Sequence, residues 1–444
     1  MKINVVLKSG DNDVFELREN SNSKTVVIPS FEMSADNNKL RNNILRILNS
    51  CNLTPTDDVM ELFNLFYSVY GADQLVSRSK FGYFSWSRNF IIHIAVKTPE
   101  KWEAEKESLI KLLSFLSGDH WDIKFRKKGT LNLEKEKNPK SKDIDIVSLF
   151  SGGLDSLTGV IDILETNQNL AVVGHHKGGG TQELDTQRGL FNELEKHYKS
   201  QKLSSYFFNV QPMQKHNVLG GEDTQRARSI LFLGLGILIS NCLGDLPLYI
   251  PENGLISLNV PLTNARLSTY STRTTHPYFL SLLQKILDHL KIEIPIINPF
   301  KFHTKGELLA DCSNPELLKK LYKKSVSCSK PFYYRRYKNI NKAHCGHCTP
   351  CIIRRASLNS IGLDKPSDYA FDIIKNPFPN HLKSGRDARA FKISVAKTIK
   401  SKDLLQFRLL KSGYIPSENN NILKYTDVLL RGNEEVNSFF NKTE

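Results

Sequence analysis

The sequence predicts an α/β protein built on a doubly wound parallel sheet, preceded by an α+β region and followed by a cysteine-bearing helical region. Three observations lead there. Residues 144–165, IDIVSLFSGGLDSLTGVIDILE, pass from an apolar run through a glycine break into helical spacing. Strand-like and helix-like segments then alternate to about residue 312, the pattern of a parallel sheet with flanking helices. Beyond that point Cys328, Cys345, Cys348 and Cys351 gather at spacings suited to metal ligation. The expected divisions are 1–140, an accessory α+β domain; 141–312, the parallel-sheet domain; and 313–444, a cysteine knuckle with a helical extension.

In the first division, short strands are expected at Ile3–Leu7, Val14–Leu17 and Thr25–Ile28. Leu40, Ile44, Leu45 and Leu48 mark an amphipathic helix. A second, with Val59, Leu62, Phe63, Phe66 and Val69, opens on Thr54-Pro55-Thr56-Asp57, which has cap chemistry. Phe90–Val96 reads as a strand, Pro99-Glu100 opens a helix, and Trp121–Phe125 reads as a further strand. No catalytic constellation appears here. Arg78, Trp86, Arg88 and His93 are candidates for a binding surface, with packing and solvation the competing explanations. The charged, proline-bearing stretch Asn132–Asp143 is the linker.

The parallel-sheet domain starts with Ile144, Ile146, Val147, Leu149 and Phe150, as a central strand covered on both faces requires. After Ser151-Gly152-Gly153, the residues Leu154, Leu157, Val160, Ile161 and Leu164 recur at the helical period. Paired glycines let backbone amides approach a ligand, and a helix start adds unpaired N–H groups that favour an anion. Ser151 and Ser156 bring hydroxyls to the same spot. A carboxylate at Asp155 would repel phosphate, so its presence makes sense where Mg²⁺ bridges the two. An ordinary βα turn with small residues is the competing explanation.

Further strands are expected at Leu170–Val173, Tyr206–Val210, Leu248–Ile250 and Ile292–Ile297, and helices at Glu183–Tyr198, Ala227–Leu243 and Tyr278–Leu290. Ligands of such sheets sit at the carboxyl ends of strands. Gly174–Gly180, with His175, should therefore face a nucleotide, and Arg226 and Arg228 stand at the start of a buried helix. Ser268–Pro277, STYSTRTTHP, carries Arg273 and His276 and suits a polar or anionic ligand. Lys305, in Thr304-Lys305-Gly306-Glu307, can reach phosphate as a point charge, against the alternative of a solvated lysine.

Cys345-Gly346-His347-Cys348-Thr349-Pro350-Cys351 with Cys328 upstream supplies four thiolates for tetrahedral Zn²⁺. An iron–sulfur cluster is the rival, and His344 or His347 could replace one ligand. Cys51, Cys242 and Cys312 are expected to be buried structural thiols. Composition adds bounds. The 444 residues allow two or three domains. The opening MKINVVLKSGDNDVF turns polar too early for a secretory signal, and the longest apolar stretch, Ile230–Ile239, is too short to span a bilayer. A cytoplasmic protein with no membrane partner is the expectation. The net charge of +15 points to nucleic acid, an acidic partner or a polyphosphate substrate. The lysines are dispersed with no basic–aromatic repeat, so a solvated basic surface competes and nucleic-acid contact stays open.

The hexapeptide Ser151–Ser156 resembles the SGGxDS loop of the PP-loop ATP pyrophosphatases, and no Walker A pattern is present. Together with the distal cysteines it resembles QueC, the 7-cyano-7-deazaguanine synthase family. The likeness covers roughly 144–356 and rests on Ser151–Ser156, on QRARSILF at 225–232, on Thr304-Lys305 and on HCGHCTPCIIRR at His344–Arg355. It implies an ATP-dependent enzyme that adenylates the carboxylate of 7-carboxy-7-deazaguanine and releases pyrophosphate. Amide and nitrile products would then follow. Ser151, Gly152, Gly153, Leu154, Asp155, Ser156, His175 and Arg228 would bind ATP; Asp155 with Mg²⁺, Ser156, Lys305 and Arg273 would act in the reaction.

The chain departs from that family in its added N-terminal domain, its tail from Gly362 to Glu444, its Gly174–Gly180 loop and STRTTHP. These features look like the QueC-like proteins of anti-phage defence operons, those of the Qat system above all, in which the activated deazaguanine could pass to an amine of a protein partner. Two other readings stay open: a basic nucleic-acid- or partner-binding module that uses the nucleotide as a switch, and a tRNA-modifying PP-loop enzyme.

Overall fold

The computed structural model describes all residues except 11, 34–38, 130–142, 179–181, 214–218, 223, 263–272, 274, 399–400, 417–419 and 443–444. The expected linker, apart from Asp143, and much of STYSTRTTHP lie outside the described residues.

Strands β1 (Lys2–Lys8) and β2 (Ser23–Pro29) pair in parallel. The strand expected at Val14–Leu17 is not formed: the segment is irregular, with Val14 88 % exposed and Phe15 held by side chains, under Arg126 and beside His93, instead of by a strand partner. Leu40 belongs to a short strand, β3 (Leu40–Asn42), and the expected helix begins only after it, as α1 (Ile44–Ser50). Then follow α2 (Asp57–Leu75), α3 (Arg78–Phe81), β4 (Asn89–Val96), α4 (Pro99–Ser117) and β5 (His120–Lys127). Proline in the first turn and Gly118 at φ +71° delimit α4. The sheet order is β2-β1-β4-β5, parallel throughout.

The second sheet begins with β6 (Ile146–Leu149), followed by α5 (Leu154–Glu165), β7 (Leu170–His176), α6 (Gln182–His197), β8 (Leu203–Pro212), α7 (Arg228–Cys242), β9 (Leu248–Tyr249), α8 (Gly254–Leu258), α9 (Pro277–His289) and β10 (Ile296–Ile297). Its order is β10-β9-β6-β7-β8-β3, parallel except where β3 runs antiparallel to β8. Val147, Leu149, Ala171 and Val173 pack with α7, while Ile146, Phe150, Leu170 and Val172 pack with α5 and α6. Both faces are covered. The chain winds outward from β6 to β8 and returns to β9 on the opposite side, so the order reverses between β6 and β9, where open α/β sheets form a ligand crevice.

The remainder is helical: α10 (Lys305–Ala310), α11 (Pro315–Leu321), α12 (Tyr333–Lys338), α13 (Thr349–Ser360), α14 (Arg386–Thr398), α15 (Lys402–Ser412) and α16 (Asn421–Phe440). Ile352, Phe391, Val395 and Phe439 form one small core among these helices, and Leu258, Leu405, Leu409 and Val428 another. The main core is continuous across the division expected near 140, from Ile3, Ile28, Phe63 and Phe66 through Leu233 and Leu235 to Leu248. Helix α7 joins the layers. A Cβ at Gly234 would stand 3.1 Å from Phe63 of α2, and one at Gly236 only 2.8 Å from Leu149 of β6. No helix among the described residues is long and apolar enough to cross a membrane.

Candidate functional site

The turn after β6 is shaped by its glycines. Gly152 has φ +78°, and a Cβ there would meet Thr186 of α6 at 3.0 Å. Ser151 Oγ accepts from the Gly153 amide at 3.2 Å and lies 3.2 Å from Ser156 Oγ, which donates to the Gly153 carbonyl at 3.1 Å. Helix α5 starts at Leu154, so its first-turn amides, unpaired within the helix, and its positive end stand at this turn. Gln187 of α6 ties the neighbouring strand ends together, donating to the carbonyls of Phe150 at 3.1 Å and His175 at 3.4 Å.

Asp155, in the first turn of α5, is buried, and so is Lys305, the first residue of α10. Lys305 Nζ lies 2.7 Å from Asp155 Oδ1; Asn253 Nδ2 donates to Asp155 Oδ2 at 2.6 Å. Asn253 is oriented for this because its Oδ1 accepts from the Ile256 amide at 3.0 Å, capping α8. Glu252 joins through a carboxyl–carboxylate hydrogen bond to Asp155. Burial pushes Asp155 up, but the Lys305 charge and the hydrogen bonds from Glu252, Lys305 and Asn253 prevail and hold it below the ordinary carboxylate range. Burial first, then the Asp155 charge, push Glu252 well above that range, so Glu252 keeps its proton and donates it to Asp155. The group bridges α5, the end of β9 and α10, at the place where the strand order reverses.

The other predicted residues divide. His175 is buried at the end of β7, its Nε2 donating to the Val210 carbonyl at 3.0 Å and its Nδ1 accepting from Arg228 Nε at 3.2 Å. Burial and then the Arg228 charge keep the imidazole neutral, well below its ordinary pKa. Arg228 also pairs with Glu183 at 3.1 Å. This network shares the carboxyl edge of the sheet but holds itself together. Arg273 is not part of the Asp155 group: its guanidinium donates to the Phe115 carbonyl at 3.2 Å and stacks over that ring on α4. Arg78 and Arg88 form no surface. They are buried against Asp73 and Asp119 in a four-residue ion-pair cluster. His93 faces Asn4 at 3.2 Å.

The cysteines meet as expected. The Sγ atoms of Cys328, Cys345, Cys348 and Cys351 lie within 4.8 Å of one another, with Cys328–Cys348 at 3.9 Å and Cys345–Cys351 at 3.8 Å. Zinc–sulfur bonds of about 2.3 Å in a tetrahedron need sulfur edges of about 3.8 Å, so the four thiols fit a metal ion such as Zn²⁺. Gly346, at φ +85°, makes the knuckle turn, where a Cβ would stand 2.1 Å from the Phe371 carbonyl. Neither histidine substitutes for a cysteine. His347 Nε2 lies 2.9 Å from the Tyr334 hydroxyl, and His344 Nε2 accepts from the Ser327 amide at 3.1 Å. Cys242 and Cys312 are buried as expected; Cys51 is exposed.

Sequence reasoning missed how the knuckle and the glycine turn are joined. The Val326 amide donates to the Gly152 carbonyl at 2.9 Å, and the Leu154 amide to Ser327 Oγ at 3.4 Å, one residue before the ligand Cys328. Arg354 of α13 braces this strap through Ser325 Oγ at 2.9 Å and the Tyr322 carbonyl at 2.7 Å. Glu252 and Asn253 were also missed as members of the site. Their one signal was position, directly after a strand next to β6. No protein-family model matches the chain, and no curated protein matches it.

Proposed function

We propose that the chain is a QueC-like PP-loop enzyme that adenylates the carboxylate of a 7-deazaguanine-type acid with ATP and releases pyrophosphate. The observation that carries this is the glycine turn at the strand-order reversal, set beside buried Asp155, Lys305 and Asn253 with half-buried Glu252. Amides of Gly152–Ser156 would cradle phosphate oxygens, and Lys305 would add positive charge beside them. Asp155 and Glu252, two carboxyls sharing a proton, form the hard oxygen donor set that suits Mg²⁺. That ion, when bound, supplies charge neutralisation on the phosphates. A carboxylate oxygen of the acid would attack the α-phosphorus, and the bond to the bridging oxygen would break, with pyrophosphate leaving. An amine nitrogen would then attack the acyl carbon and expel AMP. Ammonia gives the amide, and a second ATP adenylates the amide oxygen, which leaves with AMP as the nitrile forms; an amine of a protein partner from the same anti-phage system gives a conjugate. The knuckle would hold Zn²⁺ structurally, keeping the 325–328 strap on the turn.

The test is turnover with ATP, Mg²⁺ and 7-carboxy-7-deazaguanine. AMP and pyrophosphate should appear in equal amounts only when the acid is present, and Asp155→Asn or Lys305→Met should lower the rate about 100-fold or more. ADP and orthophosphate as products would overturn the reading. Salt-sensitive binding of RNA or DNA without turnover would favour the basic binding module that the charge of +15 allows.

A further inference from the structure

We propose that the knuckle and the C-terminal helices form a second ligand site, which takes a small anionic molecule with an apolar body. A cavity of about 670 Å³ lies between α8, the knuckle and helices α13 to α16, within the range of small-molecule sites. Leu255, Val260, Ile353, Phe391 and Leu429 give it apolar walls. Tyr334 and His347, paired at 2.9 Å, supply rings at the knuckle end.

Its lining carries more positive than negative groups. Lys330, Lys383, Arg386 and Arg408 stand against the carboxylate of Asp387 and the sulfurs of Cys345 and Cys348, which are thiolates when a metal is bound. That carboxylate is already engaged, since its Oδ2 accepts from the Thr349 amide at 3.0 Å and the Thr349 hydroxyl at 3.1 Å, capping α13. The two lysines and Arg386 are exposed; Arg408 of α15 is half-buried. Arg408 donates to Ser394 Oγ at 2.7 Å and makes no ion pair among the described residues. Asn433 and Thr398, joined at 3.1 Å, add amide and hydroxyl groups to the lining. A half-buried guanidinium held by a neutral hydroxyl beside apolar walls is completed by an oxyanion that carries a hydrophobic group. The site uses none of Asp155, Lys305 or Glu252, so it stands or falls independently of the adenylation reading.

The probe is 1-anilinonaphthalene-8-sulfonate, an apolar ring system bearing one oxyanion, titrated into the zinc-loaded full chain. One saturable site is expected, displaced by 2-naphthoate and not by the neutral 2-naphthylmethanol. Arg408→Gln should weaken it about tenfold or more, Arg408→Lys should keep most of it, and Leu429→Trp, which fills the cavity from α16, should remove it. Asp155→Asn should leave it unchanged. Equal displacement by the alcohol, or undiminished binding in a folded Arg408→Gln or Leu429→Trp protein, would overturn the proposal. The competition arm needs only the unaltered chain, so it decides even if a variant fails to fold.

Discussion

Among single residues, Lys305 and Asp155 are the most exposed to substitution because each neutralises the other where water is scarce. Their approach of 2.7 Å is supported by Asn253, which donates to the second carboxylate oxygen, and by the hydrogen bond from Glu252. Removing one member of a buried pair strands the other charge, a loss of about 3–5 kcal/mol. Lys305→Met should therefore lower the melting temperature more than the double change Lys305→Met with Asp155→Leu, although both should lack turnover. Thermal melts of the three proteins test this; a double variant no more stable than the single one contradicts the pairing. The pH dependence of the site lies with Glu252. Its folded pKa is raised, so the stability it lends is full below its unfolded value and is lost as pH rises through the folded one. Glu252→Gln should flatten the decline of stability towards alkaline pH, read as melting temperature against pH.

Between elements, the decisive joint is the start of α10, where the C-terminal helix grips the turn that presents Lys305. Glu435 of α16 accepts from the Thr304 hydroxyl and, at 3.2 Å, from the Gly306 amide, while Arg431 pairs with Glu307 and donates to the Phe302 carbonyl at 3.0 Å. A Cβ on Gly306 would stand 2.5 Å from Glu435 Oε1 and Ser360 Oγ. Gly306→Ala should therefore cost about 1–3 kcal/mol and, under the proposed adenylation, slow turnover by displacing Lys305. Burial pushes Glu435 up to about 7, against the hydrogen bonds that lower it. Its stabilising effect is complete below the unfolded value of 4.5 and fades as pH rises through 7. Glu435→Gln should remove that fall between pH 5 and 8, as melts across the range would show; an unchanged slope would place the titration elsewhere. None of this joint was legible in the chain order, because Thr304 and Glu435 are far apart in sequence and helical periodicity marks only faces. By contrast, Ser151–Ser156 and the four cysteines were legible because their geometry is local. A glycine break after an apolar strand and C-x2-C-x2-C spacing each constrain a few neighbouring residues. Val14–Leu17 misled for the opposite reason: a short apolar segment forms a strand only where another strand pairs with it, and this one has none among the described residues.

For the molecule as a whole, the continuous core makes unfolding a test of organisation. Gly234 and Gly236 let α7 sit close to α2 on one side and to β6 and β9 on the other. The N-terminal sheet and the parallel sheet therefore share buried surface, including Phe63, Phe66, Leu233 and Leu235. The knuckle is joined to the same body through Ser327 and Val326, so loss of its metal should reach the glycine turn as well as the tail. All three tryptophans, Trp86, Trp102 and Trp121, lie in the first 130 residues, which makes fluorescence chiefly a reporter of the N-terminal region, with Trp86 also under Arg226. A chromogenic chelator reports any metal ion released from the knuckle, and far-ultraviolet circular dichroism reports the helices. If the core is one thermodynamic unit, fluorescence and dichroism should share a single denaturant midpoint. Chelation of the metal beforehand should shift both midpoints downward together, because the strap no longer braces β6 and α5. A tryptophan transition that stayed in place while the dichroism moved would separate the N-terminal sheet from the rest, and would make the division expected near residue 140 a thermodynamic boundary.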